Sequence, residues 1–246
     1  MSLLVDLTQK QQDARVYRII EPERLYELFE RNEGVLVHPS CWDDPYENFI
    51  LRSKVRDKMG RVRAYTYHKN LYGQCWTLNT NSDAMWRIYS PDTRGIRIRT
   101  TVRKLLESLY YSGLKKPDKF CVVGKVRYLG EKALRRFANG IYKNGSLEKD
   151  NLFRTLLVKR PAFRHEREVR LLYFDDRGEA DGRLLRYRLN AHDLIDQIMI
   201  DPRISYTEFR QLKETIQCRT GFQGHILRSL LYSPPEETIL EETVAE

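Results

Sequence analysis

The sequence predicts an α+β fold built on a split or mixed β-sheet. Many short β-rich runs are separated by helical stretches at irregular intervals, and they do not repeat as βαβ units. No Gly-x-Gly-x-x-Gly and no Walker-type loop ending in Lys-Ser/Thr is present, which disfavours a doubly wound dinucleotide domain. No internal repeat and no Pro/Gly/Ser-rich linker divides the 246 residues. One domain is therefore expected over residues 1–246, with a core at about 16–232 and an acidic tail at 236–246.

In chain order, the first dozen residues are polar. Residues 16–20 (Val-Tyr-Arg-Ile-Ile) form a short β-rich run. Pro22 then fits the first turn of a helix that carries Leu25, Leu28 and Phe29 on one face, and Gly34 is expected to stop it. A second short strand at 35–37 feeds the turn-rich loop 38–47. The strongly basic segment 52–63 has no clear period. Residues 72–78 read as a strand, and the polar stretch 79–82 can cap a short helix bearing Met85, Trp86 and Tyr89. Residues 95–99 (Gly-Ile-Arg-Ile-Arg) alternate at period two, so one face is apolar and the other basic. A helix with Val102, Leu105, Leu106 and Leu109 on one side follows. Beyond it come a strand at 121–129, helices near 131–140 and 149–159, a strand from 168, and strand-like runs at 184–189 and 195–200. A helix at 204–219 and a last strand at 226–232 complete the order.

The composition is 41% hydrophobic, 11% aromatic and 31% charged, as in ordinary globular proteins. No stretch approaches the roughly 20 apolar residues of a membrane span. The N-terminus has no basic region followed by a long apolar one, so no signal peptide is expected. The four cysteines, Cys41, Cys75, Cys121 and Cys218, are scattered and form no Cys-x-x-Cys pair. That pattern argues against a structural zinc site and for reduced thiols in a cytoplasmic protein. Lys+Arg 43 against Asp+Glu 34 gives a net charge of +9, which favours a polyanionic partner or substrate.

The most informative motif is Glu166-Arg167-Glu168 at the front of the apolar run 169–174. Residues i and i+2 of a strand share a face, so both carboxylates are expected to point the same way. Arg164, Arg167 and Arg170 lie around them and favour their ionised forms. Such a pair can align a ribose hydroxyl and stabilise an oxocarbenium ion, it can bind a divalent metal, or it can belong to a surface ion-pair lattice. Arg18, inside an apolar strand, either snorkels or meets an anion. The loop Asp43-Asp44-Pro45-Tyr46-Glu47 is either turn chemistry or a set of carboxylates that orients a ligand or an arginine. Trp76 and Tyr89 are either core aromatics or a stacking wall for a planar base. No two histidines stand at metal-ligand spacing, and nothing resembles a Ser-His-Asp arrangement.

Together these pieces resemble an uncharacterised bacterial domain family. Its pattern reads here as Asp43-Asp44-Pro45-Tyr46-Glu47, Met85-Trp86-Arg87-Ile88-Tyr89, Glu166-Arg167-Glu168-Val169-Arg170, and a final strand containing Ser229. The order of elements is in turn similar to the ADP-ribosyltransferase superfamily, toxin-like members included. That resemblance implies a split mixed β-sheet with flanking helices and NAD as substrate. It also implies a first-strand ligand (Arg18 or Tyr17), Thr77 on the second strand and Tyr89 on the helix after it as cofactor-binding residues, and a catalytic glutamate on a late strand, Glu168. Glu166 would orient or deprotonate the acceptor, Arg18 would hold a phosphate, and Trp76 or Tyr89 would lie against the nicotinamide. One departure stands out: Cys75-Trp76-Thr77 replaces the Ser-Thr-Ser of the second strand.

The leading expectation is an NAD-dependent ADP-ribosyltransferase of toxin or phage-defence type, working without a metal, with an antitoxin protein as a partner. The net charge points to RNA or DNA as acceptor, with Arg97, Arg99, Arg52 and Arg56 as footprint; a protein acceptor is the alternative. Two rivals are a metal-dependent nuclease using Asp44, Glu166 and Glu168, and a non-catalytic nucleic-acid-binding module.

Overall fold

The computed structural model describes residues 4–56, 59–64, 67–114, 121–143, 146–147 and 149–235. The acidic tail expected at 236–246 lies outside them. The strands are β1 (Leu4–Val5), β2 (Arg15–Ile20), β3 (Glu33–Val37), β4 (Lys54–Arg56), β5 (Val62–Ala64), β6 (Leu71–Thr77), β7 (Ile96–Thr101) and β8 (Cys121–Lys125). They continue as β9 (Arg127–Tyr128), β10 (Tyr142–Lys143), β11 (Ser146–Leu147), β12 (Val158–Lys159), β13 (Glu168–Phe174), β14 (Leu184–Arg188), β15 (Gln197–Ile200) and β16 (His225–Arg228). The helices are α1 (Pro22–Arg31), α2 (Asp83–Tyr89), α3 (Val102–Tyr110), α4 (Glu131–Ile141), α5 (Lys149–Arg154), α6 (Ala191–Leu194) and α7 (Tyr206–Thr220).

Ten strands form one mixed sheet in the order β1-β8-β13-β6-β2-β7-β15-β16, with β3 and β14 attached beside β6. β13 and β6 are its spine, antiparallel and in register from Glu168↔Thr77 to Phe174↔Leu71. The free edge of β6 is shared by two strands. β2 meets it through Tyr17↔Thr77 and β3 through Val37↔Gly73. The sheet is therefore forked: from Thr77 onward, β2 swings away to run along β7 while β3 takes the other half of the edge.

The pleat assigns every residue of this region to a face. Paired residues share a face, so Glu168, Arg170, Thr77, Cys75, Tyr17, Arg97 and Arg99 lie on one side. Val169, Leu171, Trp76, Arg18 and Ile98 lie on the other.

α1 starts with Pro22 at its first turn, where the missing N–H costs nothing. Leu25, Tyr26 and Phe29 are buried from it, and burial of a Leu or Phe side chain is worth about 1.5–3 kcal/mol each. Asn32 ends the helix in the left-handed conformation (φ 50°), and Gly34 does not. Gly34 already belongs to β3, paired with Tyr187. A Cβ on Gly34 would sit 2.3 Å from the Tyr187 ring, so the glycine is there for close packing. The expected helix at 149–159 is shorter, because Val158–Lys159 leaves it to pair with β9. No helix among the described residues is long and apolar enough to cross a membrane.

Candidate active site

Glu168 opens β13, while Glu166 closes the 3-10 turn Pro161–Glu166 just before it. Arg167 between them takes the left-handed conformation, φ 45°. The two glutamates are thus not successive residues on one strand face, as the spacing suggested. They converge from a turn and a strand because the backbone reverses at Arg167. The turn is pinned to β6: the Thr77 hydroxyl donates to the Glu166 carbonyl, and Leu78 N–H donates to the Arg167 carbonyl at 3.1 Å.

Lys159 is where they meet, and the sequence reading missed it. Its Nζ lies 2.5 Å from Glu166 Oε2, 2.9 Å from Glu47 Oε1 and 3.5 Å from Glu168 Oε2. Arg170, fully buried, donates to Glu168 Oε2 at 2.7 Å, to Glu47 Oε1 at 2.5 Å and to the Leu156 carbonyl at 2.7 Å. The Trp42 ring covers its guanidinium at 4.3 Å. Only tertiary pairing could reveal Lys159, since it reaches the site from the two-residue strand β12. The loop Asp44–Glu47 does orient arginines, one of the readings open to it: Asp44 holds Arg160 at 2.9 Å and Glu47 holds Arg170. Arg164 and Arg167, expected around the pair, are both exposed.

The cluster thus holds three buried carboxylates (Glu47, Glu166, Glu168) against two buried cations (Lys159, Arg170). One negative charge is left over. The surplus falls on Glu166, whose carboxyl burial pushes above its usual range. Burial acts on Glu168 in the same sense, but Arg170 and Lys159 outweigh it and hold that carboxyl below its usual range. Lys159 is held above its usual value because the carboxylates outweigh its burial. Burial and the Glu168 charge push the Cys75 thiol well up, so it stays protonated beside that carboxylate.

Two tyrosines complete the site. Tyr89, the last residue of α2, donates to Glu166 Oε1 at 3.2 Å and is 44% exposed, so it stands between the glutamates and solvent. Tyr128 accepts the Glu168 N–H at 2.9 Å. Tyr17 shares the sheet face of Glu168 and Thr77 and lies under the Arg97 guanidinium at 4.7 Å.

Several expected site residues are placed elsewhere. Arg18 and Trp76 project from the opposite face of the sheet, so neither joins Glu168; Tyr17 is the β2 residue on the glutamate face. The reason is strand alternation: the neighbour of Tyr17 must point the other way. Arg97 and Arg99 do not form an exposed basic stripe. Arg97 is 7% exposed and donates to the Thr80 carbonyl, and Arg99 pairs with Asp196 at 2.5 Å. α2 packs over that face and converts it into interior. Arg52 and Arg56 are exposed. Asp44 pairs with Arg160 and does not join Glu166 and Glu168 in one cation-free group, and Lys159 Nζ takes the position between the carboxylates.

Residues 85–171 match the family described as "Protein of unknown function (DUF2971)". No curated protein matches the chain. Among solved structures the chain is similar to Thermus sp. 2.9 DarT in complex with NAD+, at 14% identity over 89% of this chain and 96% of that one, with a TM-score of 0.40. It is similar to the same protein in complex with ADP-ribosylated ssDNA at 12% identity over 88% and 94%, also with a TM-score of 0.40.

Proposed function

We propose that the chain is an NAD-dependent ADP-ribosyltransferase acting on nucleic acid, of the toxin or phage-defence kind that the sequence resemblance implies. The observation that carries this reading is the grouping of Tyr17, Thr77 and Glu168 on one face of three adjacent strands, where the sheet forks, with Tyr89 on Glu166 beside them. These positions come from the first strand, the second strand, the helix after it and the late strand of the superfamily pattern.

The chemistry suits the charge distribution. Breaking the bond between ribose C1′ and the nicotinamide nitrogen leaves positive charge on the ribose, while the bond electrons depart with neutral nicotinamide. A buried cluster with one surplus negative charge stabilises that cation in a water-poor setting. Glu168, fixed by Arg170 and Lys159, is the preorganised carboxylate that accepts a ribose hydroxyl. Glu166, with its raised pKa, is the better proton acceptor for an incoming nucleophile. Tyr89 supplies the ring against which nicotinamide packs. The positive charge of the chain favours RNA or DNA as the nucleophile.

Incubating the purified chain with labelled NAD and separate pools of DNA, RNA and protein, with and without chelator, tests the reading. We expect label on nucleic acid, insensitive to chelator. Glu168→Gln should lower transfer by about a hundredfold or more. Chelator-sensitive strand cleavage without label transfer would favour the nuclease. Full activity of Glu168→Gln would make the cluster a structural ion network.

A further inference from the structure

Behind the sheet, on the face away from Glu166 and Glu168, α1, β3 and β14 enclose a cavity of about 310 Å³ where β2 and β6 diverge. Four arginines line it (Arg18, Arg24, Arg31, Arg186) against two glutamates (Glu27, Glu33). Four of these six are already engaged: Arg24 pairs with Glu27 at 2.9 Å, and Glu33 lies 3.9 Å from Arg186. Of the other two, Arg31 is exposed and Arg18 is half-buried, and among the described residues the Arg18 side chain has no hydrogen bond and no ion pair. The ionisable groups that bear on it most are Cys75 and Tyr187, both protonated at neutral pH because burial raises them, Tyr187 to about 12. A guanidinium cannot shed its charge in response to burial, so this one is left uncompensated.

The remaining walls are apolar and flat. Trp76, Tyr187, Ile98, Val35 and Leu194 face the cavity. The Trp76 ring is fixed, since its Nε1 donates to Gln74 Oε1 at 2.7 Å and Gln74 in turn donates to the Val35 carbonyl at 3.1 Å. The wall is therefore formed in advance, with its polar atoms satisfied. Arg18 is the polar group within it that still needs a partner. Cavities of this size with a few convergent polar groups take small molecules.

We infer that this cavity is a second binding site, separate from the glutamate face, for a small organic anion carrying a planar ring, its charged head on Arg18 and its ring between the aromatic walls. The inference does not depend on the transferase reading.

Calorimetric titration of the whole chain with adenosine 5′-monophosphate, adenosine and inorganic phosphate tests it. We expect saturable binding of the monophosphate, with adenosine and phosphate each at least about tenfold weaker, the scale of one charged hydrogen bond. Arg18→Met should lose at least about tenfold in affinity for the monophosphate and melt no lower than wild type without ligand, because it removes an uncompensated charge. If Arg18→Met does not fold, Leu28→Phe, which narrows the cavity from α1, should show the same loss. Glu166→Gln and Tyr89→Phe should bind the monophosphate as wild type does. Loss of binding in those two variants would move the ligand to the glutamate face and overturn the inference. So would unchanged affinity in Arg18→Met, inorganic phosphate binding as tightly as the monophosphate, or no saturable binding.

Discussion

Glu166 and Glu168 stand two residues apart, yet their surroundings shift their pKa values in opposite directions, and this makes them separable. Glu168 is held below its ordinary value. Its contribution to stability is therefore present above the unfolded value of about 4.3 and is lost as pH falls through the lower folded value. Glu166 is raised by burial. Its contribution is present below about 4.3 and is lost as pH rises through the raised folded value. Urea unfolding between pH 3 and 8 should show two slopes of opposite sign. Glu168→Gln should lose most against wild type at neutral pH and converge with it in acid. Glu166→Gln should gain on wild type as pH rises. Parallel profiles would reject the division of the surplus charge.

Arg170 is the other residue whose role is decided by its partners. It serves Glu47, Glu168 and the Leu156 carbonyl with no solvent contact. Arg170→Met leaves two buried carboxylates short of a cation and should cost about 3–5 kcal/mol in denaturant titration. A loss below about 1 kcal/mol would mean that Lys159 alone satisfies both acids.

At the scale of elements, α2 matters because it delivers Tyr89 to Glu166. The helix is seven residues long, too short to persist without help. It starts at Ser82, whose side chain accepts from Met85 N–H, and it buries Met85 and Trp86. Ser82→Ala should cost about 1 kcal/mol, measured by thermal or chemical unfolding. It should also lower transfer activity at temperatures where the protein remains folded, because a loosened α2 carries a site tyrosine at its far end. Normal activity with reduced stability would detach Tyr89 from the chemistry.

For the whole molecule, the forked sheet is the organising feature. It sets the carboxylate cluster and Tyr17 on one side and the Arg18 cavity on the other. The net charge of +9 acts at this scale too. Binding to RNA or DNA should weaken with salt, log K falling by about 0.7–0.9 per phosphate contacted for each tenfold rise in salt. With Arg97 buried and Arg99 held by Asp196, the exposed Arg52 and Arg56 beside the β4–β5 ribbon are the remaining expected footprint. Arg52→Glu with Arg56→Glu should shallow the salt slope and weaken binding while NAD hydrolysis stays unchanged. An unaltered slope, measured by fluorescence anisotropy, would place the footprint elsewhere.

The sequence by itself marked the longer strands and helices and their order, though not the short strands β1, β4, β5 and β9–β12. Period-two runs, Pro22 at a helix start and Ser82 before an amphipathic turn are local signals, and the chain obeys them. It also marked Glu166, Glu168 and the Asp44–Glu47 loop as charged groups that needed partners. What it left open was which partners and which face. Alternation says that Tyr17 and Arg18 point oppositely, but only the Tyr17↔Thr77 pairing says which of them looks toward Glu168. Period two says that Arg97 and Arg99 share a face, but only the packing of α2 makes that face interior. Lys159 carries no local signal at all, since it reaches the carboxylates through a two-residue strand paired with Arg127–Tyr128. Propensity and periodicity act over a few neighbouring residues, whereas the balance of charge in a buried cluster is set by groups brought together from distant parts of the chain.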